Sequence, residues 1–327
     1  MSLTYYNQQL IKYVAENDLA NARIWAKHSL AEDKTKKNQW FVNQYMRKFE
    51  ALSENPNEFE IPSHIKKFLN TDSELPLFVP ERYYLSSREK ALFEEIDTMR
   101  IVSNELADMG INYLNTTLLY GVSGTGKTMF GRYVANQFNL PFFYLNFSQL
   151  IESYLGNTSR NLYAVFQFVK TIPCVFMIDE IDSISLTRGA GENGGTGGEM
   201  SRITITLMQE LDKFTNHQIV IAATNRIDML DKAVLRRFVR HHEVKQLNAT
   251  ERNELVVKYL DQLPLEYNLQ NVRQFCESEA VSSMPQSEII DNVVRSIAHT
   301  VQQKNSTVRL EIPHRWTSSK TSGKTNR

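Results

Sequence analysis

Gly121-Val122-Ser123-Gly124-Thr125-Gly126-Lys127-Thr128 decides how the rest of this chain is read. The eight residues fit G-x-x-x-x-G-K-[ST], a glycine-rich turn that aims backbone N–H groups at phosphate oxygens. Lys127 supplies a charge for the terminal phosphates, and the Thr128 hydroxyl a ligand for Mg²⁺. Context separates a true site from an incidental turn. Here the buried-strand run "TTLLYG" (116–121) precedes the turn and the helical "KTMFGRYVANQF" follows it. The tail holds a control: "SSKTSGKT" (318–325) also ends in Gly-Lys-Thr. There Ser318 replaces the first glycine and no strand pattern precedes it, so it is discarded.

Downstream, "PFFYLNF" (141–147), "CVFMIDE" (174–180), "QIVIAATN" (218–225) and "HHEVKQ" (241–246) read as strands. Helical patterns alternate with them, at "TSRNLYAVFQFVK", "MSRITITLMQELDKF" and "LDKAVLRRF". Nearly all-apolar strands alternating with helices predict a parallel sheet covered on both faces, an α/β P-loop fold, over residues 82–248. From about residue 249 the strand patterns stop. "TERNELVVKYLDQL", "NLQNVRQFCESEA" and "SEIIDNVVRSIAHTVQQ" predict a helical lid over 249–304, and the polar, basic residues 305–327 a largely disordered tail. Residues 1–54 read as a small all-α unit of three short helices. Residues 55–81, with Pro56, Pro62, Pro76 and Pro80, read as a linker holding one short helix at "SHIKKFL".

Bulk composition narrows the function. Of 327 residues, 42% are hydrophobic and 23% charged, as in a soluble globular protein, and 37 basic residues balance 37 acidic ones. That balance, with no helix-turn-helix or zinc motif, argues against nucleic acid as the partner. Cys174 and Cys276 read as buried thiols of an intracellular protein. No apolar run approaches the roughly 20 residues that span a bilayer, and the N-terminus lacks an apolar signal core. The expected compartment is the cytoplasm, without membrane insertion.

Two further pieces complete the site. Asp179-Glu180 end a buried strand and bring two carboxylates to the carboxyl edge of the sheet, where ligands bind in such folds. Alone they would read as solvated caps. Beside the glycine-rich turn, Asp179 is expected to hold Mg²⁺ through water and Glu180 to polarise an attacking water. Asn225, ending another strand, can point its amide at the γ-phosphate or that water. Arg236-Arg237 follow as a pair beside Phe238.

Glycine-rich turn, Asp-Glu strand end, Thr-Asn strand end and "LRRF", with a helical lid behind, resemble a classical AAA ATPase over about residues 82–304. "LRRF", without a Pro-Gly insertion, is most similar to the branch of microtubule-severing and membrane-complex-disassembling enzymes. The resemblance implies ATP and Mg²⁺ as cofactors. Nucleotide binding then falls to Gly121, Val122, Ser123, Gly124, Thr125, Gly126, Lys127, Thr128 and Met129, and the metal to Thr128 and Asp179. Catalysis falls to Glu180, Asp179, Lys127 and Asn225, with Arg236 and Arg237 as arginine fingers reaching a neighbouring subunit of a homo-hexameric ring. The lid departs from the pattern: "SSMPQSEII" (282–290) has neither a sensor-2 arginine nor the branch's Gly-Ala-Asp. Tyr83 and Tyr84 either meet adenine or pack the helix 86–99 on the sheet.

In family rings an aromatic–aliphatic–Gly loop after the second strand lines the pore and grips extended polypeptide. Tyr154, Leu155 and Gly156 stand at that point, although an aromatic at a helix end also packs readily within its own subunit. The Gly-rich "RGAGENGGTGGE" (188–199) is expected as a second, mobile pore loop without regular structure. The implied activity is ATP-driven translocation, unfolding or remodelling of a protein substrate. The alternative is a nucleotide-switched scaffold or a DNA-metabolism ATPase of the clamp-loader or helicase-loader type. Residues 1–54 weakly resemble helical-hairpin adaptor domains and are expected to recruit an adaptor, a substrate or a separate partner protease, or else to support the ring. "HHEVKQ" begins like the H-E-x-x-H of a zinc protease, but Gln246 takes the second histidine's place on a strand where the motif needs a helix, so no intrinsic protease is expected.

Overall fold

The computed structural model describes residues 4–15, 19–33, 35, 38, 41–42, 45–46, 61–72, 75, 77–111, 113–152, 158–186, 196–215 and 217–313. The chain divides into two units, one of residues 1–80, 87–121 and 127–244, the other of 81–86, 122–126 and 245–327.

In chain order the first unit contains α1 (Tyr5–Ala15), α2 (Leu19–Glu32), α3 (Ser63–Lys66), β1 (Leu69–Thr71), α4 (Ser87–Asp108), β2 (Asn115–Tyr120) and α5 (Lys127–Gln137). There follow β3 (Phe142–Asn146), α6 (Phe147–Glu152), α7 (Thr158–Val169), β4 (Cys174–Asp179), α8 (Ser183–Leu186), α9 (Thr196–Leu211), β5 (Gln218–Thr224), α10 (Lys232–Leu235) and β6 (Arg240–Glu243). Among the described residues the sheet order is β1-β3-β4-β5-β2-β6, parallel from β3 to β6. All seven residues of β5 are buried, as expected of a strand covered on both faces.

On one face, α7 sets Leu162, Val165, Phe166 and Val169 at helical spacing against Phe143, Phe176 and Ile178. Phe166 meets Phe176 edge-on with ring centres 5.3 Å apart. On the other, α5 lies so near the sheet that a side chain at Gly131 would come within 3.2 Å of the Met177 sulfur and the Phe142 ring. Because the strands are parallel, their carboxyl ends share one edge: Asn146 pairs with Asp179, and Tyr120 with Thr224. Every polar side chain at those ends is thereby brought to the same side.

Several local expectations change. The Pro-containing segment supplies an edge strand, β1, running antiparallel to β3 with Leu69 opposite Leu145. The single helix expected at "SHIKKFL" stops at Lys66, because Phe68 and Leu69 are buried in the core as the backbone turns into that strand. The Gly-rich 188–199 is not wholly irregular, since α9 begins at Thr196. In the N-terminal unit α1 and α2 pack through Trp25, whose ring lies 6.1 Å from that of Tyr6 and 6.4 Å from that of Tyr13. The third helix expected there falls largely outside the described residues.

The second unit holds α11 (Ala249–Leu260), β7 (Glu266–Tyr267), α12 (Leu269–Glu277), α13 (Glu279–Ser282), α14 (Gln286–Gln302) and β8 (Thr307–Val308). Its core gathers Leu255, Val256, Val272, Phe275, Ile289 and Val293. Asn248 and Glu251 form a reciprocal capping box that starts α11. The buried Arg252 donates to the carbonyls of Leu247, Cys276 and Ser282, joining the start of α11 to the ends of α12 and α13. Strands do not stop at 249: β7 and β8 pair in parallel, and Val308 and Leu310, expected in a disordered tail, enter this core. Tyr84 packs here too, its hydroxyl donating to Glu254 at 2.7 Å. Cys174 and Cys276 are both buried and unbridged. Among the described residues no helix is long and apolar enough to cross a membrane.

Candidate active site

β2 delivers the chain to Gly121, whose φ of +138° is one that side-chain-bearing residues rarely adopt. A Cβ there would lie 2.5 Å from the Val244 carbonyl oxygen, so the turn closes on the backbone beyond β6 only with glycine. α5 starts at Lys127. Its buried side chain donates through Nζ to the Gly121 carbonyl at 2.8 Å and to Asn225 Oδ1 at 2.7 Å. Burial holds this ammonium below the usual lysine range, while the negative charges of Asp179 and Asp182 oppose the shift. One residue on, Thr128 Oγ1 donates to Asp179 Oδ2 at 2.6 Å. Lys127, Thr128, Asp179 and Asn225, spread over about a hundred residues of sequence, are thus joined pairwise by hydrogen bonds.

At the end of β4, Asp179 Oδ1 accepts from the Glu180 backbone N–H at 2.9 Å. Glu180 is exposed and adopts φ +56°, a left-handed conformation that costs a non-glycine residue roughly 1–2 kcal/mol. The chain then returns to the sheet: Ile181 N–H donates to the Ala223 carbonyl, and the buried Asp182 accepts from Thr224 Oγ1 at 2.7 Å. Contacts before and after Glu180 therefore fix its backbone and leave its carboxylate in solvent. Strain of this kind collects where surrounding structure over-determines a functional side chain. Within the second unit, the turn Val122–Gly126 is held by Thr125 Oγ1 donating to the Val122 carbonyl and by Ser287 N–H donating to the Gly124 carbonyl. Val122, Ser123 and Met129 are exposed.

A sequence profile of the ATPase family associated with various cellular activities (AAA) matches residues 117–246, from inside β2 to just past β6. The chain carries an AAA ATPase domain. It is 38% identical over 156 residues to the peroxisomal ATPase PEX6 of Candida glabrata, covering 46% of this chain and 15% of that protein. With PEX6 of Komagataella phaffii it shares 31% identity over 239 residues, 68% of this chain and 20% of the relative. With the ATP-dependent zinc metalloprotease FtsH of Acholeplasma laidlawii it shares 35% over 176 residues, 52% and 27% of the two chains. The chain therefore spans between 15 and 27% of the length of these relatives.

The AAA domain's two adjacent arginines are placed differently. Arg236 is exposed. Arg237 forks onto Asp212, Nε to Oδ1 and Nη2 to Oδ2 at 3.1 Å each, and its Nη1 donates to the Ala233 carbonyl. Tyr154, Leu155 and Gly156 lie outside the described residues. His242, where a zinc motif would begin, stands on β6 with its Nε2 3.1 Å from Glu89, and His241 contacts the Leu235 carbonyl. Among the described residues no cluster of three or more His, Cys, Asp or Glu could hold a metal by itself.

The donor set suits Mg²⁺ bound together with a nucleotide. A hydroxyl and a carboxylate, 2.6 Å apart, offer hard oxygen ligands, too few for a free-standing ion but fitting for one whose remaining ligands are phosphate and water. The buried Lys127, which donates to the Gly121 and Asn225 oxygens, brings a positive charge to the same edge. Sequence reasoning missed Tyr144, Asp182 and Asp212, which meet Asp179, Thr224 and Arg237 across the sheet edge or between elements and belong to no local motif.

Proposed function

We propose that this chain is a Mg²⁺-dependent ATP hydrolase that assembles as a homo-hexameric ring and uses ATP turnover to translocate, unfold or remodel a protein substrate. The observation that carries the reading is the joined set Lys127–Asn225 and Thr128–Asp179 at one sheet edge, with the exposed Glu180 beside it. The turn 121–128, with Met129, would hold the phosphates, and Thr128 and Asp179 the Mg²⁺, which supplies charge neutralisation and a template for the phosphates when bound. Glu180 takes the proton of the attacking water, and Asn225, released from Lys127, orients that water. Lys127 shifts its ammonium from the Gly121 and Asn225 oxygens to the terminal phosphates.

The exposed position of Arg236 supports a role toward a neighbouring subunit. Arg237 would join it after leaving Asp212. We assign residues 82–248 to the large ATPase subdomain and 249–304 to its lid. Tyr154, Leu155 and Gly156 grip substrate, and residues 1–54 engage an adaptor or a separate protease. The two unbridged cysteines fit action in the cytoplasm.

The test is steady-state ATPase activity against protein concentration, with and without unfolded casein or DNA. The proposal expects specific activity to climb as rings form and to rise further with casein. It expects Tyr154→Ala to remove the casein response while assembly and basal turnover persist. Stimulation by DNA and not by casein would replace it with the DNA-metabolism reading.

A further inference from the structure

Tyr144 lies on β3, in the strand next to the one that ends in Asp179. The register puts Tyr144 beside Met177 and Asn146 beside Asp179, so the phenol must reach forward along the sheet edge. It does: the half-buried Tyr144 hydroxyl is 3.4 Å from Asp179 Oδ2, the oxygen that accepts from Thr128 at 2.6 Å. The Asn146 side chain hydrogen-bonds the same phenol. Asn146 Oδ1 in turn accepts from the Gln149 N–H at 3.0 Å. The phenol proton is directed at Asp179.

At 3.4 Å the Tyr144 contact is long for a hydroxyl donor, so in this arrangement the Thr128 bond governs Oδ2. A hydroxyl that gives its oxygen to a metal ion keeps its proton, so Thr128 can hold a metal and still donate to Oδ2. Oδ2 therefore faces two hydroxyl donors, Thr128 and Tyr144, and Oδ1 the Glu180 N–H. We propose that Tyr144 is a positioning residue for Asp179: as a second donor to Oδ2 beside Thr128, it restricts rotation of the carboxylate, so that both oxygens stay fixed around a bound Mg²⁺. The inference rests on reading Thr128 and Asp179 as the metal-holding pair. Outer partners of this kind typically contribute 10–100-fold to metal affinity, and a long neutral donor belongs at the lower end, at about ten-fold.

Tyr144→Phe keeps the ring and removes only the donor. The experiment titrates Mn²⁺ into the full chain with ADP and follows free Mn²⁺ by electron paramagnetic resonance, with binding of a fluorescent ADP in EDTA measured alongside. The expected result is Mn²⁺ affinity about ten-fold weaker in the variant, with ADP binding in EDTA and melting temperature unchanged. Mn²⁺ affinity within two-fold of wild type would overturn the role of Tyr144 and leave the metal site standing. Loss of ADP binding in EDTA would overturn it as well, showing a merely structural residue. Failure of the wild type itself to bind Mn²⁺ with ADP would remove the metal-site reading and this inference together.

Discussion

Arg237 and Asp212 form a two-pronged ion pair, with both guanidinium–carboxylate distances at 3.1 Å, that ties the turn after α10 to the end of α9. In this arrangement the second of two adjacent arginines is occupied within its own chain, and the first, Arg236, is exposed. The pair is partly solvated, with 30% of the Arg237 and 51% of the Asp212 side chain accessible, so holding it closed contributes about 1 kcal/mol at most.

Asp212→Ala should therefore free Arg237 without unfolding α9. If Arg237 serves a neighbouring subunit, steady-state ATPase activity of the assembled protein is expected to rise by up to about five-fold. Arg237→Ala should lower it instead. Opposite signs for the two variants, measured at saturating protein concentration, are the signature of release.

The Gly121 turn allows no side chain. Alanine there would adopt φ +138° and press its Cβ to 2.5 Å from the Val244 carbonyl oxygen. Such strain costs about 2–3 kcal/mol, expected as a fall in melting temperature of about 5–10 °C. Loss of ADP binding should accompany it, since the turn must open. Thermal unfolding without nucleotide checks the first effect and fluorescent ADP the second.

Lys127 is a stability cost when no nucleotide is bound. Burial lowers its proton affinity from an ordinary value of 10.5, so the folded state holds fewer protons than the unfolded chain between the lowered value and 10.5. The penalty is therefore full below that window and fades as pH rises through it. Lys127→Met is expected to be more stable than wild type at pH 7, with the difference shrinking towards pH 10 in urea denaturation. The same variant should bind ADP about 10–100-fold more weakly, having lost a charged donor.

Much of the site was legible because its parts are local. Lys127 and Thr128 follow a turn between a strand and a helix, and Asp179 and Asn225 each end or follow an apolar run, so their arrival at one edge follows from a parallel sheet. What stayed hidden depends on contacts made only after folding. Nothing near Tyr144 in sequence points to Asp179 thirty-five positions later, nor anything near Asp212 to Arg237. Arg240 is another case: a buried arginine on β6 that donates to Glu95, Thr117, Tyr113 and Asn115, all of them far from it in sequence. β1 has only three residues, and its strand character comes from pairing with β3 rather than from a pattern of its own. The left-handed backbone of Glu180 likewise follows from the bonds on either side of it, not from its residue type.

The exposed carboxylate of Glu180 beside Asp179 carries the central claim, that this edge of the sheet hydrolyses ATP. The most direct measurement compares bound nucleotide and turnover in Glu180→Gln and wild type under the same Mg²⁺. The variant keeps every hydrogen bond to the Glu180 backbone and loses only the base. It is expected to retain intact ATP at near one per chain, in a stable assembly, with turnover reduced at least about 100-fold. Turnover equal to wild type would contradict the account.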